Sequence, residues 1–108
     1  MKNSRYALHE IFTDVLGSRN VYFQPPASVT LKYPCIVYSL SDVKGKKANN
    51  KTYDRNYGYK VTLIHTDSDN DVLDKLLNLP YATIDTAFST QGLYHYVLTI
   101  YYKNEKEI

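Results

Sequence analysis

The sequence predicts an α+β domain, a mainly antiparallel sheet of about four strands with two helices on one face. Three observations lead there. "YGYKVTLIHT" (57–66) and "LYHYVLTIYY" (93–102) alternate with a strand's period of two and are rich in β-branched and aromatic residues. Leu8, Ile11, Phe12, Val15 and Leu16 recur with a helix's period instead. The 108 residues suffice for one modest core, so 1–108 reads as a single domain.

Taken in order, the first helix is capped by Asn3 or Ser4 and stopped by Gly17. "VYFQPP" (21–26) is a short extended piece, since neither Pro25 nor Pro26 can donate to a central ladder. "YPCIVYSL" (33–40) is a strand. Residues 41–56, "SDVKGKKANNKTYDRN", read as a long basic loop to the strand at 57–66, which pairs antiparallel with 33–40. "DSDNDVLDKLLNLP" (67–80) is the second helix, with Ser68 and Asp71 matching a capping box and Pro80 as its stop. Strands at 81–89 and 93–102 turn at Gln91-Gly92, and 103–108 reads as a frayed tail. The order is α-β-β-loop-β-α-β-β.

Two helices with single apolar stripes cover one sheet face. Ile36/Tyr38/Leu40, Tyr57/Tyr59/Val61/Leu63, Ala82/Ile84/Thr86/Phe88 and Tyr94/Tyr96/Leu98/Ile100 are assigned to it. The other face then carries Cys35, Val37, Thr62, Ile64, Thr83, His95, Val97, Thr99 and Tyr101. That is too apolar for a solvated side, so another protein chain is expected to cover part of it. The competing expectation is that the loop, the N-terminal arm or the Pro-Pro segment folds over it. An excess of tyrosine, 12 against 3 Phe and no Trp, suits half-buried surfaces and interfaces.

The net charge of +2 is too small to imply nucleic acid or membrane as a partner. A single cysteine excludes an internal disulfide framework and fits a reducing compartment. With no apolar run of about 20 residues and none like a leader's at the N-terminus, the protein is expected to be made and kept in a cytoplasm, away from membranes.

No catalytic residue, metal site or cofactor is predicted. Asp67-Ser68-Asp69-Asn70-Asp71 opens like a calcium loop, but Val72 and Asn78 stand where glycine and glutamate are required. His9, His65 and His95 lack ligand spacing, although His65 and His95 lie on different strands that can meet. Cys35 reads as a small buried hydrophobe, and Asp85 as a cross-sheet partner of Lys60. "RNYGYKV" (55–61) matches part of an RNA-binding sheet motif, which gives the alternative function: a single-stranded RNA or DNA binder stacking bases on Tyr57 and Tyr59 beside the basic loop. Lys44, Lys46, Lys47, Lys51 and Arg55 are read as contacts to a neighbouring subunit or tube, together with Val37, Ile64, Val97 and Tyr101 of the second face.

"VYFQPPASVTLKYPCIVYSL", a polar stretch, "YGYKVTLIHTDSDND" and "LLNLPYATIDTAFSTQGLYHYVLTIYY" together resemble the small tail-completion, or tail-terminator, proteins of long-tailed bacteriophages and prophages of Gram-positive bacteria. The resemblance spans nearly all of the chain after residue 20 and rests on the order and spacing of these segments. It implies a structural virion protein and no enzyme: a homo-oligomeric ring, typically a hexamer, that caps the finished tail tube at the tail–neck junction. Its partners would be the tail tube protein and the neck or head-completion protein, with DNA passing through the ring without specific binding. No cofactor is implied, and the family supplies no catalytic residues to transfer.

Overall fold

The computed structural model describes residues 4–48 and 51–104, and gives the backbone path alone for Ser4, 42–48, 51–56 and 103–104. Helix α1 (Ser4–Leu16) comes first, then strands β1 (Val21–Phe23), β2 (Cys35–Ala48) and β3 (Lys51–His65). Helix α2 (Val72–Leu77) and strands β4 (Ala82–Thr90) and β5 (Leu93–Asn104) complete the chain. The five strands form one sheet in the order β1-β2-β3-β5-β4, so the α+β class and the sequence of elements agree with expectation while the sheet is one strand wider. The added member is "VYF", which lies parallel to β2 at the edge, opposite Ile36–Tyr38. All other pairings are antiparallel.

Periodicity builds the core. Leu8 and Phe12, one helical turn apart, are fully buried, as are Ile36, Val61, Leu63 and Leu98 on alternate strand positions beneath them. Tyr38 lies at the centre, with the Phe12 ring edge-on at 5.0 Å, Phe23 at 4.9 Å and Tyr59 at 5.8 Å between centroids. Arg5 places its guanidinium 4.4 Å over the Phe23 ring and hydrogen-bonds the Tyr38 hydroxyl. The Tyr38 hydroxyl and His9 Nδ1 are hydrogen-bonded at 2.7 Å.

Helix α2 is shorter than the predicted 67–80. The capping box is not formed: Asp71 precedes the first turn without a side-chain bond to it. Instead, Asp67 Oδ1 accepts the Asp69 N–H and Asn70 Oδ1 accepts the Val72 N–H, two side-chain turns that compete with helical bonds.

The stretch 41–56 is not a loop. Strands β2 and β3 continue through it as a ladder whose register runs from Cys35↔Ile64 to Ala48↔Lys51, with bulges between Leu40 and Asp42 and between Lys46 and Lys47. Pairing persists where propensity is poor because each added pair satisfies backbone groups, and β5 supports the outer side of β3 as far as Arg55↔Asn104. Positions 103–104, expected to fray, belong to that ladder, while 105–108 lie outside the described residues. The hairpin makes the molecule long, 52 × 25 × 24 Å, with a radius of gyration of 15.0 Å, where a compact chain of this length has about 13 Å.

A candidate assembly surface

Strand β4 fixes what each sheet face presents. Ile84 pairs with Leu98 and Thr86 with Val97, so two consecutive β5 residues face two β4 residues that are not consecutive, and Asp85 is the surplus residue of a β-bulge. The bulge reverses the alternation. Ala82 and Ile84 share the helix side, whereas Thr86 and Phe88 lie opposite Val97 and His95 on the second side, contrary to the sequence assignment. Leu40, assigned to the core, is also largely exposed.

The second face is thus ordered in rows across the sheet. One row is Cys35, Ile64, His95 and Phe88; the next is Tyr22, Val37, Thr62, Val97 and Thr86. Cys35 and Ile64 are buried, whereas Val37, Val97 and Tyr101 are half-buried and Phe88 is 50% exposed. Part of the cover comes from the chain itself: the Tyr22 hydroxyl accepts the Lys32 N–H, which holds the 24–34 connection to this side near Val37. The connection therefore approaches the β1 end of the face through Lys32, while Phe88 at the β5–β4 end is half exposed.

On this side the buried His95 Nδ1 has no hydrogen-bond partner among the described residues, whereas Thr99, Asp85 and Lys60 meet one another. The Thr99 hydroxyl donates to Asp85 Oδ2 (2.6 Å), and Lys60 Nζ lies 4.0 Å from the same oxygen across β5, as expected from sequence. His95 and His65 do not meet: one pairs with Ile64 and the other with Tyr94, on opposite faces. His65 Nδ1 instead accepts the Asp67 N–H. Burial pushes the Cys35 thiol up to about 11, so it is no thiolate near neutral pH. Tyr59 is only 3% exposed and its hydroxyl is raised to about 12, chiefly by burial, with Tyr38 and Tyr57 adding to the shift. A ring so placed has no face to offer a base, and Tyr57 packs against the same core.

Among the predicted contact residues, Lys44, Lys46, Lys47, Lys51 and Arg55 occupy register positions along the projecting hairpin, opposite Asn56, Asp54, Thr52, Ala48 and Gly45. In the ladder these positions lie beyond the rows of Val37, Ile64 and Val97, farther along the strand direction. Sequence reasoning missed the outer edge of β4. There Tyr81 is 78% exposed at φ 58°, and Ile84 is 45% exposed. The Pro80-Tyr81 step before an alternating run was the available signal. Among the described residues no helix is long and apolar enough to cross a membrane. No protein-family model matches the chain, and no curated protein matches it.

Proposed function

We propose that this chain is a structural subunit of the tail-completion class, assembling with copies of itself into a ring of six that ends a long phage tail tube and joins it to the neck. The observation that carries this reading is the β2–β3 hairpin, which runs past the body and accounts for the molecule's 52 Å length. A two-stranded ribbon of polar sequence is marginal in water and has little use in an isolated globule. It gains stability when a neighbour pairs with or packs on it. The half-covered second face and the open sheet edge support the same reading, since a ring offers each subunit two different neighbouring patches. DNA would pass through such a ring without specific binding.

Electron microscopy of the purified full-length protein, alone and mixed with tail tubes, tests the proposal. Rings of six, or rings seated on tube ends, are expected. A monomer at every concentration that never binds tubes overturns it.

A further inference from the structure

The two edges of the sheet are treated differently. On the β1 side the edge is closed: β1 is three residues long, the Gln24 side chain accepts the Leu40 N–H, and Pro25-Pro26 follow. On the other side β4 is open over nine residues. The bond from Tyr101 N–H to Tyr81 C=O sets which peptide groups face β5. It follows that those of Ala82 and Ile84, and beyond the bulge those of Ala87 and Ser89, face outward. Among the described residues no strand pairs with this edge, and the bulge at Asp85 is the one irregularity in it. It contains no proline or lysine, and its one charge, Asp85, is engaged by Thr99 and Lys60. Exposed Tyr81, Ile84 and Phe88 lie along it.

Charge indicates what this edge receives. From 67 to 90 the chain carries five aspartates against one lysine: three stand in the turn just before α2, Asp74 lies in α2, which touches β4, and Asp85 is in β4 itself. From 41 to 56 it carries five basic residues against two acidic ones. The segment 67–90, which ends in β4, is therefore net acidic and the projecting hairpin segment is net basic. Direction agrees as well. Strands β2/β3, β3/β5 and β5/β4 are each antiparallel, so β2 runs antiparallel to β4. A neighbour rotated about an axis near the strand direction would present its β2 in the sense that β4 pairs with. Because the hairpin stands beyond the level of its own β4, that neighbour is also staggered along the strands, as tilted strands in closed sheets are.

We infer that the basic hairpin of one copy docks along the β4 edge of the next, with Asp74 of α2 and the aspartates of the preceding turn as its acidic counterpart and β2 added as an antiparallel strand. This rests on the ring reading and says which two surfaces close the ring.

Two charge-reversed forms of the full chain test it: Lys46→Glu with Lys47→Glu in the hairpin, and Asp69→Lys with Asp74→Lys beside β4. Folding is checked by circular dichroism and association by sedimentation. Each form alone should associate about tenfold or more weakly than the parent. An equimolar mixture should recover association, since alternating copies bring opposite charges together at every joint. Ala87→Pro removes an outward N–H without touching the internal ladder and should weaken association too. A parent assembly insensitive to added salt overturns the docking without any variant. Reversed forms that assemble like the parent, or a mixture that fails to recover, overturn the docking and leave the ring reading standing. A parent that never associates removes both.

Discussion

The Phe88 ring lies flat on the His95 imidazole, with centroids 4.7 Å apart and planes 8° from parallel, on the sheet face turned away from the helices. Regular alternation from Ala82 would have sent Phe88 into the helix-side core. The surplus residue at Asp85 sends it the other way, so one bulge decides whether a large aromatic serves the core or the surface.

Deleting Asp85 should therefore be tolerated. Ile84 and Thr86 already face consecutive β5 residues, so the deletion restores a regular ladder and leaves Phe88 on His95. What is lost is the Thr99 bond and a partly exposed ion pair with Lys60, together about 1 kcal/mol. Phe88→Ala should cost about as much, the worth of an exposed aromatic pair, while Phe12→Ala in the core should cost about 3–5 kcal/mol. Urea unfolding of the three variants measures this, and an Asp85 deletion as damaging as Phe12→Ala would refute the bulge argument.

Stability should fall on the acid side through His9. Burial, and then the Arg5 charge, hold its pKa below the ordinary 6.5. The folded state resists a proton that the unfolded chain accepts, so unfolded molecules bind more protons as pH drops through about 6.5, and stability declines until the folded form is protonated too. His9→Gln keeps a hydrogen-bonding group for Tyr38 but cannot titrate. Melting temperatures from pH 8 to 5 should slope less in that variant, and equal slopes would place the titration elsewhere.

Cys35 should be silent in the folded protein. It has no exposed surface, and burial raises its thiol to about 11. At pH 8 a colorimetric disulfide reagent should label it over minutes in guanidinium and leave it unlabelled in buffer over the same time. Rapid labelling in buffer would mean that β2 opens at that point.

Much of this architecture is legible in the residues. The α1 stripe placed Leu8 and Phe12 correctly, and the alternation of β3 and β5 placed Val61, Leu63, Leu98 and Ile100. What escaped has a common cause: pairing, not local preference, decided it. Lys, Gly and Asn at 44–50 disfavour strand, yet the ladder carries through their described positions because β2 and β3 are already aligned below them. A bulge leaves no mark in the sequence, so Thr86 and Phe88 were placed on the wrong side. The face bearing Val37, Ile64 and Val97 is approached at its β1 end by the 24–34 connection through the Lys32–Tyr22 bond, a tertiary event that short-range patterns do not encode.

The hairpin should be separable from the fold. Among the described side chains, the buried cluster is built from α1, β1, Ile36 and Tyr38 of β2, β3 from Tyr59 onward, α2 and β5, with Tyr57 packed against it. Lys44 and Asn56 are direct cross-strand partners. Replacing 45–55 with Asn-Gly joins them by the two-residue turn that suits the twist of antiparallel strands. The shorter connection also costs slightly less closure entropy. Unfolding free energy should stay within about 1 kcal/mol of the parent, with unchanged near-ultraviolet dichroism from the tyrosine-rich core. Under the proposed docking, association should be lost with the hairpin. A shortened chain that unfolds would make the hairpin a structural necessity of the monomer, and one that folds and still forms rings would show that other surfaces close them.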